Sequence, residues 1–319
     1  MNDLKLFKQK FDVHLERYLE KQIENISKFT KDSSILKNIH YLRKVSLSGG
    51  KRIRPYLAYL MYQAFSGKEN EEILEFLVFL EIFHTFCLIH DDIMDKSDLR
   101  HGVPTAHAYI SNSLKQEGRI GDIGHTGSSQ AILLGDLLFS WSQEIINSNK
   151  NFSREIIDLV NVYFYKMVDE VVVGQMIDVD IATRKKVSKE LIDNKTMLKT
   201  AGYSFTTPLL IGSALSGNTD KNIETFCGKF GLAMGIAFQT QDDLLDITSS
   251  NSKLGKPTSS DKSQNQHTYF TYFPSLEYGK RIIMDNFRQA KELVEKLKIK
   301  NLYRQKFLNF VEAIEKRTF

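Results

Sequence analysis

An all-α bundle of roughly ten or more helices around one core is the fold this chain of 319 residues predicts. Apolar residues recur at three- and four-residue spacing over long stretches. Strand-like alternation bounded by hairpin turns is missing, and only five prolines punctuate the chain. Hydrophobic residues make up 42% of the sequence, enough to bury a sizeable core. No Pro/Gly/Ser linker separates two self-contained periodic blocks, so residues 1–319 are read as a single domain.

Taken in order, the N-terminal stretch MNDLKLFKQKFDVHLERYLEKQ has no uninterrupted apolar run. It reads as an amphipathic helix, indicating neither secretion nor import. Gly49 and Gly50 end a helix, and Pro55 falls in the first turn of the next, where its missing N–H is harmless. The run from Ile82 to Ile89 is too apolar for a solvent face and predicts a buried helix leading into Asp91-Asp92-Ile93-Met94-Asp95, closed by a turn at Gly102 and Pro104. Glu81 and His84 interrupt this longest apolar stretch, so no transmembrane segment is expected. Between Gly118 and Gln130 a glycine recurs every third residue. No strand precedes it and the Lys-Ser/Thr ending of a phosphate loop is lacking, so it reads as a flexible connection between two helices. Ile156, Leu159, Val160, Tyr163, Phe164, Met167, Val168 and Val171 mark a helix buried over a wide face. A second buried helix, Leu232 to Phe238, leads into Asp242-Asp243-Leu244-Leu245-Asp246.

The 43 basic and 39 acidic residues are interspersed and leave a net charge of +4. That pattern argues against nucleic acid and suits a small anionic substrate. Cys87 and Cys227, both in apolar context, are too few for a disulfide framework or a thiolate metal site, which points to a reducing cytoplasm.

The two aspartate words carry the chemistry. In a helix the first and last carboxylates of each word lie about one turn apart on one face, where like charges repel. Asp91, Asp92, Asp95, Asp242, Asp243 and Asp246 make sense in an apolar setting if a hard cation lies between them. Mg²⁺ takes oxygen ligands, retains waters and bridges to substrate phosphates. Lys51, Arg52 and Arg54 supply cations, with Lys51 and Arg54 placed on one face near a helix N-terminus that itself favours an anion; a merely charged helix start is the plain alternative. His84, Asp91 and Asp95 fall within roughly 20° of one helical stripe, so His84 looks toward the same cleft, or is an ordinary core histidine. Arg100 follows the first word, and Lys199 and Lys256 stand near polar loops.

GGKRIRP, HTFCLIHDDIMD running into DLRHGVPTAH, GQMID, Lys199-Thr200 before Ala201, FQTQDDLLD and LGKPTSSD together resemble the trans-isoprenyl diphosphate synthases, or polyprenyl synthetases. They fall in family order from Gly49 to Asp261. The resemblance implies the isoprenoid synthase fold, a deep central cavity whose mouth carries both aspartate words, and a homodimer. It implies Mg²⁺ held by Asp91, Asp92, Asp95, Asp242, Asp243 and Asp246 against an allylic diphosphate that Arg100, Lys199 and Lys256 also touch. Lys51, Arg54 and His84 would bind isopentenyl diphosphate. Thr200, Gln175, Asp178, Phe238 and Gln239 would line the gap between the reacting carbons.

Two features depart from the family pattern. His101 follows Arg100 where a second arginine is usual, and Ser263 to Thr268 stand where lysines are frequent. His101→Arg is therefore expected to lower the KM for isopentenyl diphosphate. Product length in the family depends on bulk just before the first word. Phe86 with the small Cys87 looks like the pattern for geranylgeranyl diphosphate (C20), with farnesyl diphosphate or a longer product as alternatives. A class I terpene cyclase is disfavoured by the second DDxxD. A non-catalytic synthase subunit is disfavoured because both words are intact.

Overall fold

Most helices start where the sequence offers a side-chain cap. Asp32 accepts the N–H of Ile35, Asn70 that of Glu72, Asp122 that of His125, Ser188 that of Leu191 and Ser275 that of Tyr278. The computed structural model describes residues 2–252, 268–273 and 275–316. Among them the order is α1 (Asn2–Ile26), α2 (Ser33–Leu47), α3 (Ile53–Ser66), α4 (Glu71–Met94), β1 (Leu99–Arg100), β2 (Val103–Pro104), α5 (Ala106–Gln116) and α6 (Ile123–Asn147). Then come α7 (Arg154–Ile181), α8 (Lys189–Lys195), a π-helix (Thr196–Thr206), α9 (Thr207–Leu215), α10 (Lys221–Ser252), a 3₁₀ turn (Tyr269–Thr271), α11 (Leu276–Lys296) and α12 (Asn301–Glu315). The all-α expectation holds, with one small addition. β1 and β2 pair antiparallel around His101 and Gly102, so the segment after the first aspartate word is a short hairpin rather than a plain turn.

The chain divides into two compact units, and the boundary falls inside α3. The first comprises Asn2–Tyr59 with Glu69–Ile157. There Phe7 stacks on Phe11 and meets Tyr56 edge-on, while Phe76, Phe79 and Phe83 of α4 are fully buried. α4 and α5 both pack against α6. The second comprises Leu60–Lys68 with Asp158–Phe319. Its α10 lies against the π-helix and α11, with Phe226 and Phe230 packed on Phe307 of α12.

Several local expectations are corrected. Only Gly118 to Asp122 form a connection, because Asp122 caps α6 and Gly124 to Gln130 are already helical. Lys51 precedes α3 rather than sharing its first turn, since Arg52 adopts a left-handed φ of 56° that ends any continuous helix there. Leu232 is largely exposed although its neighbours in α10 are buried. By length and composition Glu71–Met94 does suffice to cross a membrane, but 67% of its apolar window is buried inside the protein. Glu81, taken as an interruption, is instead paired within that interior.

Candidate active site

In the first unit the aspartate word closes α4. Asp92 is 2% exposed, and its Oδ1 accepts from Nε of Arg100 at 2.7 Å. Nη2 of Arg100 also reaches Oδ2 of Asp91 at 3.4 Å. Burial pushes the Asp92 carboxyl up to about 6, opposed by Arg100 and reinforced by Asp91 and Asp95. Asp91 is half-buried and Asp95, which caps α4, is exposed.

The hairpin puts Arg100 and His101 beside the glycine loop. A small cleft runs between them and α4, lined among others by Ser48, Arg52, His84, Asp92, Arg100 and His101. Burial drives the His84 pKa well down, and Arg54, Arg52, Arg100 and His101 add to the effect, so His84 is neutral near pH 7. His101 is lowered likewise by burial, then by Arg100 and Arg52. Gly49 and Gly50 both have φ of 65°, a conformation that favours glycine. The ring of His101 lies flat on Gly49, where an added Cβ would come within 2.5 Å of its Cγ.

In the second unit the same spelling is held differently. Asp243 is 6% exposed; its Oδ1 accepts from Nε2 of Gln239 at 2.9 Å and its Oδ2 from the backbone N–H of Tyr269 at 3.0 Å. Oε1 of Gln239 accepts from the Thr200 hydroxyl at 3.0 Å. Thr200 sits in the π-helix, an uncommon form that widens the backbone. That breadth is accommodated by glycines on both sides. A Cβ on Gly174 of α7 would lie 2.6 Å from the Lys199 amide nitrogen, and one on Gly235 of α10 would lie 2.3 Å from Cβ of Ala201. Lys199 Nζ meets Oδ2 of Asp178 at 2.5 Å, and Lys195 Nζ meets Oδ1 at 3.0 Å. Burial pushes Asp178 up, but the two lysines more than reverse this and hold it below its ordinary value. Phe238 meets Phe205 edge-on, and Asp242 and Gln175 are half-buried.

A family model described as polyprenyl synthetase matches residues 34–305. The chain belongs to the polyprenyl synthetase family. It is 32% identical over 255 residues to a geranylgeranyl diphosphate synthase of Methanosarcina mazei, covering 79% of this chain and 70% of the relative. It is 30% identical to a farnesyl diphosphate synthase of Haemophilus influenzae, covering 91% of each. Among solved structures, a geranylgeranyl pyrophosphate synthase of Corynebacterium glutamicum superposes with a TM-score of 0.83 at 23% identity, covering 98% of this chain and 99% of that one. The last likeness concerns the fold. This polyprenyl synthetase is an enzyme, a prenyltransferase of the trans-isoprenyl diphosphate synthase type.

In the first unit Arg100 joins Asp91 and Asp92; in the second Lys199 joins Asp178, and Thr200 joins Gln239 and Asp243. Asp92 and Asp243, both expected as metal ligands, are turned to protein partners instead. Among the described residues no group of three or more His, Cys, Asp or Glu side chains is gathered to hold a metal ion. Lys256, Ser263 to His267 and the side chain of Asp246 lie outside the described residues. The sequence alone does not reveal that Arg52 pairs with Asp12 and Glu81. A partial signal is available: a carboxylate in the middle of a buried helix needs a cation.

Proposed function

We propose that this polyprenyl synthetase condenses isopentenyl diphosphate with an allylic diphosphate, head to tail, to give all-trans geranylgeranyl diphosphate. The observation that carries the reading is the polar cleft at the end of α4, where Arg100 and His101 adjoin the carboxylates of the first aspartate word. Arg100 and Lys199 would neutralise charge developing on the leaving diphosphate as its C–O bond breaks. Lys51 and Arg54, with neutral His84 as a hydrogen-bond partner, would hold the diphosphate of isopentenyl diphosphate. Its alkene carbon forms the new C–C bond with the allylic carbon, and a proton then leaves, taken by the departing diphosphate. Thr200, Gln239, Gln175, Asp178 and Phe238 would shape the gap where that bond forms.

The donor set fits Mg²⁺. Its ligands are hard carboxylate oxygens, and Asp91 and Asp95 stand close enough to Asp92 to act on it, a cluster of like charge that a divalent cation would relieve. Asp91, Asp95 and Asp242 would hold it, with Asp246 expected to join them and Asp92 and Asp243 supporting from behind. When bound it would shield the diphosphate oxygens and ease their departure.

Length control is assigned to Phe86, whose ring packs against Phe139 at 5.2 Å and His90 at 4.7 Å, with half-buried Cys87 beside it. Farnesyl diphosphate is the second reading, because relatives of both kinds match this chain. Both units are taken as one catalytic domain, because the family match runs through them. A homodimer is supported by the exposed Val162, Val172, Val173, Met176 and Val179 of α7, and a cytoplasmic site by a sequence with only two cysteines, too few for a disulfide framework. The test is incubation of the purified chain with isopentenyl diphosphate and C5, C10 or C15 primers, with Mg²⁺ or with a chelator. C20 product that disappears on chelation is expected; hydrocarbon from the C15 primer alone would indicate a cyclase, and no product from any primer a non-catalytic subunit. Phe86→Ala should lengthen the product by at least one C5 unit, and an unchanged product would remove Phe86 from the pocket floor.

A further inference from the structure

Arg52 touches none of the groups that would meet substrate through its own head, yet every arm of its guanidinium is committed. Nε donates to Oδ1 of Asp12 at 2.7 Å, Nη1 to Oε1 of Glu81 at 2.6 Å, and Nη2 to the backbone carbonyl of Ser46 at 2.9 Å. The side chains of Arg52 and Glu81 are buried, so this is a desolvated ion pair whose partners cannot be replaced by water without loss. Its backbone is strained as well. Arg52 takes a left-handed φ of 56° directly after Gly49, Gly50 and Lys51, and a non-glycine residue persists there only when its surroundings impose it.

The geometry explains Gly50 too. A Cβ at that position would stand 2.7 Å from Nη1 of Arg52, so the guanidinium crosses over the glycine on its way to Glu81. Three elements are thereby tied to one side chain: α1 through Asp12, the end of α2 through Ser46, and α4 through Glu81, one turn before His84. Between the tied points lie Lys51 and the start of α3 with Arg54. Asp12 precedes the first residue of the family match, so the tie recruits a helix that lies outside the matched segment.

We propose that Arg52 is a positioning residue, gripped by Asp12 and Glu81, that fixes the loop from Ser48 to Arg54 so that Lys51 and Arg54 are presented to the diphosphate of isopentenyl diphosphate. The inference rests on the functional reading above for the identity of that ligand. It makes a split prediction. Loosening the grip changes recognition of isopentenyl diphosphate and leaves the allylic substrate alone.

The main test is Asp12→Asn, which keeps side-chain size and lies outside the cleft lining; Glu81→Gln, also of parental size, alters the partner at the cleft wall. In Asp12→Asn the KM for isopentenyl diphosphate should rise about tenfold, with kcat and the KM for the allylic primer within about twofold of the parent. Glu81→Gln should act in the same direction and more strongly. Hydrogen exchange at the amides of Gly49 to Ile53 should speed up about tenfold in Asp12→Asn, a readout that needs no turnover. An unchanged KM together with unchanged exchange overturns the proposal, and so does an equal rise in both KM values. A parent chain that condenses no primer would sink the functional reading, while faster loop exchange in the variants would still show the grip.

Discussion

The two aspartate words are spelled alike and fixed unlike. In the first, the second aspartate is buried against a cation, Arg100, carried by a hairpin eight residues further on. In the second, the matching aspartate is buried against neutral donors, the Gln239 amide and the Tyr269 N–H. Position within the word, rather than residue type, decides the role: the second carboxylate faces inward in both, at 2% and 6% exposure, while the first is only half-buried. One meets an arginine, and the other accepts hydrogen bonds from an amide and a backbone N–H. The two words thus share one arrangement, a half-buried first carboxylate followed by an inward second one.

The sharpest way to break that division is at the first positions. Asp91→Ala and Asp242→Ala should each lower turnover by roughly a thousandfold or more, because each would loosen the Mg²⁺ whose positive charge the departing diphosphate needs. Both should also raise the Mg²⁺ concentration for half-maximal rate. Near-native activity in either variant would undo the assignment of that word to metal.

The second positions come next. Asp92→Asn removes the charge that orients Arg100, and a loss of roughly 10- to 100-fold in kcat/KM for the allylic primer is expected. Asp243→Asn keeps one acceptor but sets an amide N–H against either Gln239 or Tyr269. An unmatched buried donor costs about 1–3 kcal/mol, so a loss of about tenfold follows. Neither variant should move the Mg²⁺ requirement. A large shift in that requirement would return Asp92 or Asp243 to the metal and erase the distinction.

Much of this was legible in the chain itself. The words, their apolar approaches and the cations of GGKRIRP are local features, and helical periodicity alone brings His84, Asp91 and Asp95 onto one stripe. What escaped is what depends on contacts distant in sequence. Nothing near Asp92 or Asp243 tells that one meets an arginine and the other a backbone N–H from Tyr269. The π-helix from Thr196 to Thr206 has no periodic signature, and Gly174 and Gly235 show their purpose only when the wider backbone lies between them. Glu81 was visible but was taken as an interruption instead of one half of an ion pair.

The glycine seat offers a test confined to the second unit. Gly235→Ala places a methyl 2.3 Å from Cβ of Ala201, and overpacking of this kind costs about 1–3 kcal/mol. Thermal stability should fall by several degrees and turnover by about fivefold, as the segment carrying Lys199 and Thr200 shifts. Adding Ala201→Gly removes the nearest contact but leaves Cα of residue 201 at 2.6 Å from the methyl, so it should restore only part of both. Failure of that rescue would mean that the seat is not set by this contact.

The smallest effect is expected at His101, where the first unit departs from its family. The missing second arginine suggests a weakened diphosphate site, to be improved by His101→Arg. The packing argues otherwise. The His101 ring covers Gly49, its left-handed φ of 50° fixes the hairpin turn, and burial together with Arg100 and Arg52 keeps it neutral. An arginine here would leave Gly49 uncovered and bring a third guanidinium near Arg52 and Arg100, so charge gained is offset by packing lost and by repulsion. The KM for isopentenyl diphosphate should therefore change by less than about threefold in His101→Arg. A tenfold drop would show that charge at this position outweighs the contact with Gly49. The cleft would then be limited by its cation count, and His101 would be a deficit of this chain instead of a spacer between hairpin and loop.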